Sequence, residues 1–113
     1  GALEFINHFL GKQIAGMKCP MQGVLDILAL LYEHLPKQDN SVLLAVSHDT
    51  ILAVFLAVMQ DEVSVSLEDW PEMMEGAYLW FEDQGFNGMF EESTVHWVWR
   101  GVARSRLISS FSA

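Results

Sequence analysis

The stretch Val42-Leu43-Leu44-Ala45-Val46-Ser47-His48-Asp49-Thr50-Ile51-Leu52 decides how this chain is read. Its first five residues are apolar on both faces, the pattern of a central strand in a parallel sheet covered by helices. After a short polar interruption, residues 50–60 carry no charge and are apolar on nearly every side, which predicts a buried helix. Strand, tight turn and helix in that order predict an α/β layered fold. As one unit, residues 42–59 approach the ~20 residues of a membrane span. Ser47, His48, Asp49 and Thr50 would then lie mid-bilayer, where one charged side chain costs several kcal/mol, and the split reading removes that cost.

Outward from this stretch, the N-terminal side reads as helical. Phe5, Ile6, Phe9 and Leu10 have near-helical spacing within residues 3–13. Residues 21–34 carry Val24, Ile27, Leu28 and Leu31 at i, i+3, i+4, i+7, and Leu35-Pro36 is the stop. Lys37-Gln38-Asp39-Asn40 follows as a polar turn. On the C-terminal side, residues 61–75 are acidic and loop-like, with Trp70-Pro71 as a rigid point. Residues 77–81 read as a strand, then Asp83-Gln84-Gly85 and Asn87-Gly88 as turns. In a second strand over 94–102, Val95, Trp97 and Trp99 face one way and His96, Val98 and Arg100 the other.

Composition sets the outer bounds. The chain has 113 residues, 51% hydrophobic and 19% charged, enough apolar material for one real core and the opposite of a disordered composition. A net charge of −9 with six Lys and Arg repels nucleic acid and anionic membranes, so neither is an expected partner. A small phosphorylated ligand needs only one local cationic pocket. Cys19 is the single cysteine, which rules out an intrachain disulfide, and no activating base adjoins it. The chain opens Gly1-Ala2-Leu3 without an initiating Met and is expected to continue upstream.

Chemistry concentrates at Ser47-His48-Asp49-Thr50. Ligands of open α/β sheets bind at the carboxyl ends of strands, and a helix's first turn offers unpaired N–H groups to an anion. There an imidazolium stabilises phosphoryl oxygens and a carboxylic acid protonates a leaving oxygen. The plain alternative is that Asp49 or Thr50 is a helix cap and His48 a satisfied histidine. A hydrolase triad of Ser47, His48 and Asp49 fails, because consecutive residues project in different directions.

The quoted stretch resembles the second catalytic motif of the histidine phosphatase superfamily, in which an apolar strand ends in His-Asp and runs into an apolar helix. The Asp is similar to the acid phosphatase and phytase branch; the phosphoglycerate mutase branch usually has Gly there. The resemblance covers residues 22–107. Trp70-Pro71 is similar to the family's Pro-containing loop, Ala77-Tyr78-Leu79-Trp80-Phe81-Glu82 to the strand after it, and Val95-His96-Trp97-Val98-Trp99-Arg100-Gly101 to a late strand and turn.

The resemblance implies a partial three-layer sandwich, a mainly parallel sheet flanked by helices, with residues 1–113 as part of one domain. It implies that His48 and Asp49 are catalytic, His48 binding phosphate or a small phosphomonoester and steadying the transition state and Asp49 acting as general acid; Thr50, in the first turn of the helix, is expected to bind phosphate as well. In such enzymes the nucleophile is the His of an Arg-His-Gly motif, and no Arg-His-Gly occurs here. His8, His34 and His96 are expected to be structural or surface residues, and Arg100, Arg104 and Arg106 a solvated face. No cofactor or metal is expected: Asp61-Glu62 and Glu91-Glu92 lack a third ligand. The chain is therefore expected to be the C-terminal part of a phosphomonoester hydrolase, inactive alone. The alternative is an inactive free-standing domain that works through oligomerisation or protein binding. Without the N-terminal part, one side of the strand over 42–46 is left open, and a homo-oligomer is expected.

Overall fold

The computed structural model describes residues 4, 7, 19–35, 43–62, 64–83 and 89–111. Helix α1 spans Pro20–His34 and helix α2 spans Asp49–Met59. Three strands follow, β1 Tyr78–Asp83, β2 Ser93–Trp99 and β3 Val102–Leu107, in the order β1-β2-β3 with both pairings antiparallel.

Helix α1 starts where the sequence puts a proline at its first position. Pro20 has no N–H to leave unsatisfied, and the ladder begins with Gly23 N–H to Cys19 O at 3.0 Å. Val24 and Leu28 are buried on its inner face. The helix stops at Leu35, whose extended backbone is what a residue before proline prefers. Helix α2 starts at Asp49, as expected, with His48 as N-cap residue and Leu52 N–H donating to His48 O at 3.0 Å. It buries Ala53 and every residue from Phe55 to Met59.

The sheet contributes one face to the core. On β2, Ser93, Val95, Trp97 and Trp99 are buried while Thr94, His96 and Val98 are half-buried, the alternation expected from the sequence. Both helices pack on that face. Val24 and Leu28 of α1, with Phe55, Leu56, Val58 and Met59 of α2, form one cluster with Val95, Trp97, Trp99, Ile108 and Phe111. Tyr32 joins it to Phe81 and Phe90, with ring centroids 5.2 and 5.5 Å away. The short 3-10 turn Ile108–Phe111 tucks Phe111 underneath.

This architecture corrects the expected one. The sheet is small and antiparallel, not mainly parallel, and among the described residues helices cover one face rather than both. Residues 43–48 form no strand, and Leu44 and Val46 are 83% and 86% exposed; Val42 lies outside the described residues. A run apolar on both faces stays buried only when something covers both, and α1 and α2 spend their apolar faces on β2. Helix α2, by contrast, is buried as expected. The strand expected over 94–102 is really two strands joined by Arg100-Gly101. The turns at 83–88 lie outside the described residues except Asp83, which ends β1. Of the helix expected over 3–13, Glu4 and Asn7 are described and both are helical. Among the described residues no helix is long and apolar enough to cross a membrane.

Candidate functional site

Helix α2 brings His48, Asp49 and Thr50 to its N-terminal turn. His48 and Asp49 are exposed, Thr50 is half-buried, and the segment leading to them is irregular and solvent-facing. The His48 imidazole makes no hydrogen bond among the described residues. Asp49 is engaged on both oxygens. Its Oδ1 accepts the N–H of Thr50 at 2.7 Å, and its Oδ2 accepts the indole N–H of Trp70 at 3.0 Å. Asp49 thus satisfies one of the four N–H groups that a helix leaves orphaned, and its charge lies at the positive end of the dipole. The Thr50 N–H is accordingly already taken, and a phosphate there would have to use the Thr50 hydroxyl or displace Asp49.

Trp70 arrives from the acidic loop, which is more ordered than a solvated linker. Val65 is buried against Ala57, with Val54 and Trp70 beside it. Asn7 grips it through both backbone groups: its side-chain N–H donates to Val65 O at 3.1 Å, and Val65 N–H donates to Asn7 Oδ1 at 2.6 Å. Two turns then shape the loop. Asp69 N–H donates to Ser66 O at 3.1 Å, and Glu75 N–H to Glu72 O at 3.0 Å, with Met74 at φ 66° between them.

Arg100 ties those turns together from the β2–β3 hairpin. Its Nε donates to Glu75 Oε2 at 2.7 Å and one terminal nitrogen to Glu75 Oε1 at 2.8 Å, a two-pronged ion pair. The same terminal nitrogen reaches Trp70 O at 3.1 Å, and the other reaches Glu68 O at 2.7 Å. The guanidinium also lies 4.9 Å from the Trp99 ring centroid. The hydrogen bonds from Arg100, then the Glu72 backbone, lower the Glu75 pKa from 4.5 to about 2.

The other candidates are placed elsewhere. His34 Nδ1 donates to Leu30 O at 2.9 Å in the last turn of α1. His96 stacks on Trp80 on the outer face of the sheet, 5.2 Å apart and 3° from parallel. Its Nε2 is 3.3 Å from Glu82 Oε2, within ion-pair range though out of line for a hydrogen bond. His8 lies outside the described residues. Arg106 is not a solvated charge: it donates to Val58 O at 2.8 Å and to both oxygens of Ser110, with Phe111 4.0 Å beneath it. Arg104 is exposed, and among the described residues no cluster of three or more His, Cys, Asp or Glu side chains is arranged to hold a metal. Nothing in the sequence pairs Trp70 with Asp49, or Glu75 with Arg100 in the ion pair that holds the loop carrying Trp70.

No family model, curated protein or solved structure matches this chain.

Proposed function

We propose that this chain is the C-terminal, phosphate-holding and proton-donating part of a phosphomonoester hydrolase of the histidine acid phosphatase type. The observation that carries the reading is the start of α2, with His48 as N-cap residue, its imidazole exposed and without a hydrogen bond among the described residues, and Asp49 next in the chain. A phosphoryl group there would meet the imidazolium of His48 and the dipole of α2. Asp49, protonated on an oxygen lone pair that its two donors leave open, would protonate the leaving oxygen. The reading keeps only the helix start of the resemblance, because residues 43–48 form no strand before His48. It also needs a nucleophile, because a phosphohistidine mechanism requires a second histidine beside an arginine, and this sequence contains no Arg-His-Gly.

A titration of the full chain with inorganic phosphate, followed by NMR, tests binding: the His48 ring and the Thr50 and Ile51 N–H signals should move together. An aryl phosphate should hydrolyse no faster than in buffer. Turnover that disappears in His48→Ala would overturn the assignment of roles, since another residue would then be the nucleophile.

The exposed Leu44 and Val46 favour a second reading, in which the chain acts as an inactive domain through association with copies of itself.

A further inference from the structure

Arg100 sits in a backbone conformation that a long side chain disfavours. Its φ is 50° and that of Gly101 is 79°, the two positive angles of a two-residue type I′ turn closing Trp99 against Val102. Asn, Asp and Gly suit the first of those positions; Arg does not. What holds Arg there is visible in its contacts. Four hydrogen bonds leave the guanidinium, and all end on the loop at residues 68–75. One of them ends on the carbonyl of Trp70, the residue whose indole grips Asp49. Strain that the surroundings enforce tends to be kept where the side chain has work to do.

We propose that Arg100 and Trp70 are positioning residues for Asp49, the guanidinium fixing the loop and the loop's indole N–H aiming the carboxyl group. The inference rests on the reading of Asp49 as proton donor. Arg100 touches neither Asp49 nor a substrate position; it acts through Trp70. Trp70 is held from three directions: the backbone bond from Arg100, the packing beside Val65 and Ala57, and the indole bond to Asp49. With Thr50 N–H on the other oxygen, the plane of the carboxyl group is set before any ligand arrives. Because Glu75 keeps its charge down to about pH 2, the latch stays shut through the mildly acidic range.

NMR of the full chain reads this directly, through the Trp70 indole N–H and the Asp49 carboxyl carbon. Arg100→Asn removes the guanidinium while keeping a residue that accepts the turn. It should speed exchange of the Trp70 indole proton about tenfold, the loss expected for one hydrogen bond. It should also move the Asp49 carbon toward its position in Trp70→Phe. The double variant should move that carbon no further than Trp70→Phe alone, because the two residues act in series. Glu75→Gln leaves the hairpin untouched and should give a smaller change of the same sign. An Asp49 carbon that stays in place in folded Arg100→Asn, or additive shifts in the double variant, would overturn the proposal. Inorganic phosphate separates it from the reading beneath it. Shifts that depend on Arg100 but no response to phosphate would sink the phosphatase reading and leave the linkage standing; a phosphate response with an Asp49 carbon indifferent to Arg100 would do the reverse.

Discussion

At the scale of single residues, the least comfortable atom is the indole nitrogen of Trp97. The side chain is 1% exposed at the centre of the core, and its N–H finds no acceptor among the described residues. A buried unsatisfied donor costs about 1–3 kcal/mol. Trp97→Phe removes that donor but also part of a large ring, so the two effects nearly cancel. Urea unfolding should place it within about 1 kcal/mol of the parent, while Trp97→Ala should lose about 3–5 kcal/mol. A loss above about 2 kcal/mol for the Phe variant would show that the indole has a partner after all. Glu75 makes a different prediction, in pH. Its folded pKa of about 2 lies below the ordinary 4.5, so the ion pair with Arg100 adds stability in full above pH 4.5. That contribution is lost as pH falls through 4.5 toward 2. Asp69 and Glu72 add weaker coulombic attraction to Arg100. In Glu75→Gln the unfolding midpoint should be lower at neutral pH and decline less between pH 4.5 and 2. Equal slopes for parent and variant would mean that another carboxylate carries the acid limb.

At the scale of elements, the end of α2 explains how the helix is anchored opposite its site. Glu62 N–H donates to Ala57 O at 2.8 Å and Asp61 N–H to Val58 O at 3.0 Å, the paired bonds of a Schellman ending. Asp61 takes the left-handed position at φ 58°, where glycine is usual, and brings a negative charge to the negative end of the dipole. Arg106 answers that charge distribution by donating to Val58 O. Asp61→Gly should therefore raise stability by about 1 kcal/mol, measured by thermal or urea unfolding, and Asp61→Asn by less. A destabilised Asp61→Gly would show that the Asp side chain has a favourable contact. The same element shows what the sequence discloses. Both described helices are legible because their signals are local: a proline at the start of α1, its apolar stripe, a charge-free run from Thr50. The alternation of Val95, Trp97 and Trp99 is local too. The run at 42–46 was misread because an apolar stretch states that it needs cover and not whether the fold supplies it. The break between β2 and β3 is hard to read because Arg-Gly is a weak turn signal; the bonds from Arg100 to Glu75, Glu68 and Trp70 are what hold it there. His48, Asp49 and Thr50 could be found from their place at a helix start. Trp70 and Arg100 could not, because Trp70 meets Asp49 across 21 residues of chain and Arg100 meets Trp70 across 30.

At the scale of the whole molecule, the question is where apolar surface remains uncovered. The outer face of the sheet presents Tyr78, Trp80 and Leu107, but its edge strands carry Glu82 on β1 and Arg104 on β3, charges of the kind that discourage strand addition. Residues 43–46 carry no such guard: Leu43, Leu44 and Val46 are exposed along an irregular, uncharged segment. Association through this segment is the form the expected homo-oligomer should take. A net charge of −9 opposes it, so the assembly should tighten as salt screens the repulsion, across the range where the Debye length falls from about 30 to 10 Å. Light scattering coupled to size exclusion measures this. Leu44→Lys with Val46→Lys separates apolar contact from charge, because two added positive charges bring −9 to −7 (−9 + 2 = −7) and weaken the repulsion. If charge alone governed assembly, the double variant would associate more strongly than the parent. If the segment is the contact, it should be monomeric at every salt concentration while its unfolding midpoint stays close to the parent's, since neither side chain is buried in the protomer. A parent chain that runs as a 12.8 kDa monomer at high salt and micromolar concentration would show that these residues tolerate water, and would remove the support for the association reading.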